Sequence, residues 1–284
     1  MLERGRAPTD DERYVRIATV NLLHGRSLTD GLVDTGRMIR AVGELGASLV
    51  GLQEVDRNQH RSGNVDQTAV IAASLATDID DVSYRFVPAI VGEPGARWTA
   101  AAPADPLSGH DLASSDGLPA AYGIGLVSLL PVESWHVVRL SAAPVRSPIL
   151  LPGTRRPTML PDEPRAALVA VLRDGVAPFR TVATTHLSFV PGWNVRQLRH
   201  VLRALADLPG PRILIGDLNL PHAVVSRSSL GWTSLAAVPT YPGTDPRIQF
   251  DHVLTDEPSA AVGSSSRAVA MSISDHRALV TDFG

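Results

Sequence analysis

The chain has 284 residues, 44% of them hydrophobic and 19% charged, and a formal net charge of −3. That composition excludes a disordered or fibrous protein and leaves ample chain to bury a core. There is no cysteine, which excludes disulfide frameworks and thiolate metal sites and leaves carboxylate, amide and imidazole ligands, suited to Mg²⁺, Mn²⁺ or Ca²⁺.

Residues 1–13 are polar and mixed in charge, and they read as a flexible tail without the apolar core of a secretory signal. No apolar run is long enough to span a bilayer, so the expectation is a cytoplasmic protein with one domain over 14–284. Tyr14 to Val20 alternates as a strand and ends on Asn21. Leu32, Met38, Ile39, Val42 and Leu45 recur at helical spacing, with Gly46 as the stop. A short apolar run, 48–52, leads into Gln53-Glu54-Val55-Asp56, and a second helix is expected over 66–76.

After a strand over 84–90, residues 92–121 are rich in Gly, Pro, Ala, Ser and Asp and show no periodicity. A loop this long inside a compact domain is expected to be a functional lid or disordered. Strands resume at 123–129, a proline-rich connection covers 144–164, and two strands, 166–172 and 179–184, follow, the second closing on Thr185-His186-Leu187. Val195, Leu198, Val201, Leu202, Leu205 and Leu208 then mark one face of an amphipathic helix.

The most informative stretch is Ile213-Leu214-Ile215-Gly216-Asp217-Leu218-Asn219-Leu220-Pro221. It is an apolar run of strand length that delivers an Asp and an Asn two residues apart. In a strand these would point to one face, a carboxylate able to take a proton from water beside an amide able to hold an oxygen. The plainer alternative is an Asp-x-Asn turn after a core strand. A short helical segment, a Pro-Thr-Tyr-Pro turn at 239–242, a strand over 248–254 and a final strand reaching Phe283 complete the chain.

Several of these elements end on a polar residue suited to a metal or a phosphate: Asn21, Glu54, His186, Asp217 with Asn219, Asp251, and Asp275 with His276. Singly, each has an ordinary reading. Asn21 suits a turn, Glu54 a solvated strand end, and the histidines a surface. Asp251, between Phe250 and Val253, is the exception, because a buried Asp needs a partner.

Jointly, six segments in order resemble the endonuclease/exonuclease/phosphatase superfamily of DNases, abasic-site endonucleases, neutral sphingomyelinases and inositol polyphosphate phosphatases. They are Thr19-Val20-Asn21, Gln53-Glu54-Val55-Asp56, Thr185-His186-Leu187, Gly216-Asp217-Leu218-Asn219, Phe250-Asp251-His252-Val253-Leu254 and Ser274-Asp275-His276-Arg277-Ala278-Leu279. The resemblance implies a four-layer α/β sandwich, two mixed β-sheets face to face with helices outside. It implies Glu54, Asn21 and Asp275 at a Mg²⁺ or Mn²⁺ ion, Asp217 orienting or deprotonating the attacking water, and Asn219 and His186 holding phosphate oxygens. His276, oriented by Asp251, would stabilise the charge that builds on the phosphorane-like transition state. Arg165 and Tyr241 sit where relatives place Arg and aromatic residues and are candidate substrate contacts. Where many relatives have Gly-Asn-Ala and then Ser-Arg or Ser-Lys, this chain has Gly123-Ile124-Gly125 and Ser128-Leu129, losing one polar group that could steady His186 and one basic group near substrate.

The expected activity is a metal-dependent hydrolase acting on a phosphodiester. Every basic residue is arginine and no basic stripe stands out, which argues against a non-specific nuclease and favours a lipid head group or small phosphodiester. A DNA or RNA nuclease is the alternative, and a non-catalytic phosphate-binding module of the same fold a third reading.

Overall fold

The computed structural model describes residues 14–284 except 77, 79–80, 106, 110–115 and 150–157. The expected tail, 1–13, lies outside the described residues. In chain order the first strands are β1 (Val15–Asn21), β2 (Leu49–Arg57), β3 (Ser83–Gly92), β4 (Trp98–Ala100), β5 (Ser108–Gly109) and β6 (Ala121–Ser128). There follow β7 (Val132–Leu140), β8 (Arg146–Ile149), β9 (Thr158–Pro161), β10 (Arg165–Leu172), β11 (Thr181–His186) and β12 (Arg212–Asp217). The last are β13 (Thr233–Ser234), β14 (Asp251–Thr255), β15 (Ser265–Val269) and β16 (Ala278–Phe283). The helices are α1 (Thr35–Gly43), α2 (Gln67–Leu75), α3 (Trp193–Leu205) and α4 (His222–Ser228).

Two mixed sheets result. The first runs β15-β16-β1-β2-β6-β3-β4, with β5 also on β3, and the second runs β13-β14-β12-β11-β10-β7. Ile17, Leu49, Ile124 and Leu126 from the first meet Leu168, Val182, Ile213, Ile215 and Val253 from the second in a common apolar layer. On the outer face of the first sheet, Met38 and Val42 of α1 and Ile71 of α2 cover Val20, Val50 and Leu52. On the outer face of the second, Leu198, Val201, Leu202 and Leu205 of α3 cover Val169, Leu214 and Leu254. The architecture is the expected helix–sheet–sheet–helix sandwich, because strands apolar on both faces need cover on both sides.

At one point the two sheets touch closely. A Cβ on Gly51 of β2 would lie 2.6 Å from Thr184 Oγ1 and 2.7 Å from Ile215 Cδ1, so this glycine sets the local spacing. Beside it, buried Gln53 donates to Thr184 Oγ1 at 2.9 Å and accepts from Thr19 Oγ1 at 3.1 Å, a polar bridge across the apolar layer.

Several expected elements shift. Asp34 caps α1, its side chain accepting from Arg37 N at 2.6 Å, and Asp66 caps α2, accepting from Ala69 N at 3.1 Å. Leu32 therefore falls before the first helix and is exposed. The strand expected over 248–254 begins at Asp251, because its ladder with β12 starts at the Asp217–Asp251 pair and the Thr240 hydroxyl takes the N–H groups of Phe250 and Asp251. The described part of 92–121 adds β4 and β5 to the edge of β3. The connection over 144–164 contains the β8–β9 hairpin. Among the described residues no helix is long and apolar enough to cross a membrane.

Candidate active site

Strand register builds most of the site. β11 and β12 pair in parallel with His186 opposite Asp217, and β12 and β14 pair antiparallel with Asp217 opposite Asp251. His186, Asp217 and Asp251 are thus one row across three neighbouring strands at a single sheet end. Gly216 makes the row feasible: its φ is +144°, and a Cβ there would collide with the Thr185 carbonyl. Asp217 facing Asp251 sets like charges side by side, which is unfavourable without a cation between them.

His276 is that cation. It comes from the other sheet, in the turn before β16, where the Ser274 hydroxyl accepts from its backbone N–H at 3.1 Å. Its Nδ1 lies 2.8 Å from Asp251 Oδ2 and its Nε2 lies 3.7 Å from Asp217 Oδ2. Burial alone would lower its pKa, but the Asp251 and Asp217 carboxylates outweigh burial and push it up to about 10. His276 is an imidazolium at neutral pH, with a proton on each ring nitrogen.

Asn21 and Glu54 form the adjoining wall. β1 ends at Asn21, which pairs with Gln53 of β2. The β2–β6 ladder slips between Leu52 and Val55, and Glu54 adopts φ +54°. This bulge turns the Glu54 side chain out of the pleat. Asn21 Nδ2 then donates to Glu54 Oε1 and to Asp217 Oδ2, each at 3.1 Å. Asp217 is pushed up to about 7, first by burial and further by Asp251, against the opposing pull of His276. Glu54 is also raised, by burial and by the Asp275 carboxylate.

Asn219 reaches the site by a route other than strand alternation. β12 ends at Asp217, Asn219 takes φ +49°, and its N–H donates to Asp217 Oδ1 at 2.9 Å. The turn reading and the site reading are both realised: the Asx turn carries Asn219 to the cleft while its Nδ2 donates to Leu187 O at 2.9 Å. Asp275 lies on the cleft wall, and the Tyr241 ring rests 4.9 Å from that of His276.

Together these groups open onto a cleft of about 590 Å³ that Glu54, Arg165, His186, Asp217, Asn219, Tyr241, Asp275 and His276 all line. Asp251 stands behind His276, fully buried. Sequence reasoning missed Tyr122, Pro161, Glu163, Phe189 and Phe250 as wall residues. Of these, Glu163, two residues before Arg165, Phe250, beside Asp251, and Tyr122, beside Gly123, carried a signal in their neighbours. Among the described residues, none of 92–121 lines this cleft, and Pro161, Glu163 and Arg165 form part of its wall.

A metal can be tested against two donor sets. Asp217, Asp251 and His276 offer atoms within 4.8 Å of one another, and Asp251 Oδ1 is buried with no partner among the described residues. A cation there would face an imidazolium and compete with the His276–Asp251 hydrogen bond. Glu54 and Asp275 instead supply carboxylate oxygens that repel through a shared cleft, and the Asn21 amide beside them turns Nδ2 toward Glu54 while its Oδ1 accepts from Leu23 N. Hard divalent ions fit that second set.

The family model described as the Endonuclease/Exonuclease/phosphatase family matches residues 18–276. No curated protein matches the chain. Among solved structures, an endonuclease/exonuclease/phosphatase from Bacteroides vulgatus aligns at TM-score 0.58 and 15% identity, covering 95% of this chain and 98% of that one. One from Beutenbergia cavernae aligns at TM-score 0.55 and 19% identity, covering 95% and 71%. The human nocturnin catalytic domain, solved with a bound sulfate anion, aligns at TM-score 0.55 and 16% identity, covering 95% and 93%. The structural likenesses speak for the fold, and the match over residues 18–276 speaks for descent: the chain belongs to the endonuclease/exonuclease/phosphatase family.

Proposed function

We propose that the chain is a hydrolase that cleaves a phosphodiester by in-line attack of water. The observation that carries the reading is the set of donors around one carboxylate oxygen. Asp217 Oδ2 accepts from Asn21 Nδ2 at 3.1 Å and lies 3.6 Å from His186 Nε2 and 3.7 Å from His276 Nε2. A carboxylate pushed up to about 7 is matched to taking a proton from water near neutrality. Asp217 orients the nucleophile and receives its proton. His186 and Asn219 hold non-bridging oxygens, and the His276 imidazolium, backed by Asp251, faces the charge that develops in the transition state. One such preorganised donor is typically worth about 3–4 kcal/mol.

Glu54, Asp275 and Asn21 would hold a Mg²⁺ or Mn²⁺ ion, which when bound supplies Lewis-acid polarisation of the phosphoryl oxygens. The substrate class we favour is a lipid head group or small phosphodiester. Its support is the net charge of −3 with no basic stripe in the sequence, together with a cleft of about 590 Å³ whose walls include Phe189, Tyr241 and Phe250.

Release of nitrophenol from bis-nitrophenyl phosphate tests the chemistry. Wild type with Mg²⁺ or Mn²⁺ should be active, and chelator, His276→Ala or Asp217→Asn should abolish the rate. Equal background rates from all would leave a phosphate-binding module. A panel of plasmid DNA, abasic duplex, RNA, sphingomyelin and phosphoinositides under one metal condition then tests the substrate class. Preference for a nucleic acid would overturn the head-group assignment.

A further inference from the structure

Arg165 opens β10 and is 6% exposed, yet its guanidinium does not simply face the cleft. Its Nη1 lies 3.2 Å from His186 Nδ1, and its Nη2 lies 3.9 Å from Glu163. Its Nε has no hydrogen-bond partner among the described residues. The Nη1–Nδ1 contact is therefore the hydrogen bond that fixes this end of the fork.

A guanidinium has donors only and stays charged in proteins. The contact is a hydrogen bond only if Nδ1 presents its lone pair. The single ring proton of His186 then sits on Nε2, the atom that faces Asp217 Oδ2 at 3.6 Å. The other tautomer sets two N–H groups against each other at 3.2 Å and turns a lone pair toward a carboxylate. The doubly protonated ring sets a cation against a cation. We propose that Arg165 is a positioning residue acting through His186: it locks the neutral Nε2–H tautomer, so that His186 meets a substrate oxygen as a fixed neutral donor.

The two imidazoles flanking Asp217 thereby differ in kind. His276, backed by a carboxylate, is the charged donor; His186, backed by a guanidinium, is the uncharged one. The Gly123-Ile124-Gly125 segment offers His186 no polar side chain, and Arg165 occupies that steadying role from the neighbouring strand.

The kinetic consequence rests on the phosphodiesterase reading, but the tautomer does not, and the test separates them. In the full chain labelled with ¹⁵N-histidine, long-range ¹H–¹⁵N correlation at neutral pH should show His186 protonated on Nε2 alone, with His186→Gln giving the assignment. Arg165→Met should admit the Nδ1–H or doubly protonated form, and Arg165→Lys should retain the wild-type pattern. Wild-type His186 carrying a proton on Nδ1, or an unchanged ring in Arg165→Met, overturns the proposal. Should Arg165→Met fail to fold, the wild-type and Arg165→Lys spectra still decide it.

With bis-nitrophenyl phosphate, Arg165→Met should lower kcat about 10- to 100-fold, by analogy with partners that orient metal-ligating histidines. KM should stay within about threefold, and Arg165→Lys should recover most of the rate. A raised KM with kcat retained would make Arg165 a direct phosphate ligand and overturn the positioning role. A chain with no diesterase activity but the expected spectra would sink the function and leave the tautomer lock standing.

Discussion

At the scale of single residues, surroundings rather than residue type distinguish two like carboxylates. Asp217 and Asp251 face each other across a strand pair, yet one is spent on holding His276 charged and the other is left to face the cleft. Asp251→Asn should expose that division. The amide can keep a hydrogen bond to the ring but not the charge that raises it, so the His276 pKa should fall from about 10 toward the ordinary value near 6.5. The protonated fraction then drops at alkaline pH first. The rate should fall about 10- to 100-fold, more at pH 8.5 than at pH 6, and a rate–pH profile checks the slope. Glu54 gives a prediction of opposite sign for stability. Burial and Asp275 raise its pKa in the folded chain, so the stability it permits is present below the unfolded pKa and is lost as pH rises through the folded one. Glu54→Gln should therefore raise the neutral-pH melting temperature without metal, by about 2–4 °C for each kcal/mol relieved. The same change should weaken Mg²⁺ activation, and calorimetry with a metal titration reads both.

At the scale of elements, backbone devices bring the groups together, and these were the least legible part of the sequence. The strand ends could be read, since Ile213 to Ile215 is an apolar run and Gly216 interrupts it. The bulge that turns Glu54 outward could not, because nothing in Leu-Gln-Glu-Val announces a positive φ. Asn219 was legible as a turn residue and as a site residue, but strand periodicity placed it by the wrong geometry. β7 left no clear signal because Glu133, His136 and Arg139 break its apolar pattern at the edge of the second sheet. The link between Arg165 and His186 spans 21 residues and depends on two adjacent strands in register, which pattern alone does not fix. The buried bridge from Thr19 through Gln53 to Thr184 was equally silent. Thr184→Val removes one acceptor and leaves the Gln53 amide unpaired between the sheets, which should cost about 1–3 kcal/mol. Urea denaturation measures it, and a loss under about 0.5 kcal/mol, within the ordinary range for surface changes, would mean that the bridge holds nothing.

At the scale of the whole molecule, buried His252 and half-buried His24, both outside the His186–Asp217–Asp251 row, should shape its response to acid. His252 is fully buried in β14, its Nε2 2.8 Å from Leu220 O and its Nδ1 3.3 Å from Gln249 Nε2. Burial lowers its pKa to about 4, and burial with the nearby Arg61 lowers that of His24 to about 4 as well. A histidine whose folded pKa is depressed contributes stability that is fully present above its unfolded pKa near 6.5 and is lost as pH falls toward the folded value. His276, raised to about 10, works the other way, its contribution complete below about pH 6.5 and lost as pH rises through 10. Folding stability should therefore peak near neutrality and decline on both sides for separate reasons. On the acid side His252 alone gives a slope of about 1.4 kcal/mol per pH unit between pH 6.5 and 4. Protonating His252 leaves its Nε2–H on Leu220 O, a contact that favours the charged ring, so the acid limb reports the cost of burying that charge and not loss of the Leu220 contact. His252→Gln, which can keep a donor toward Leu220 O, should flatten the urea midpoint between pH 6.5 and 4.5 while leaving the alkaline limb in place. An acid limb of unchanged steepness in that variant would move the sensitivity to His24 or to the carboxylates.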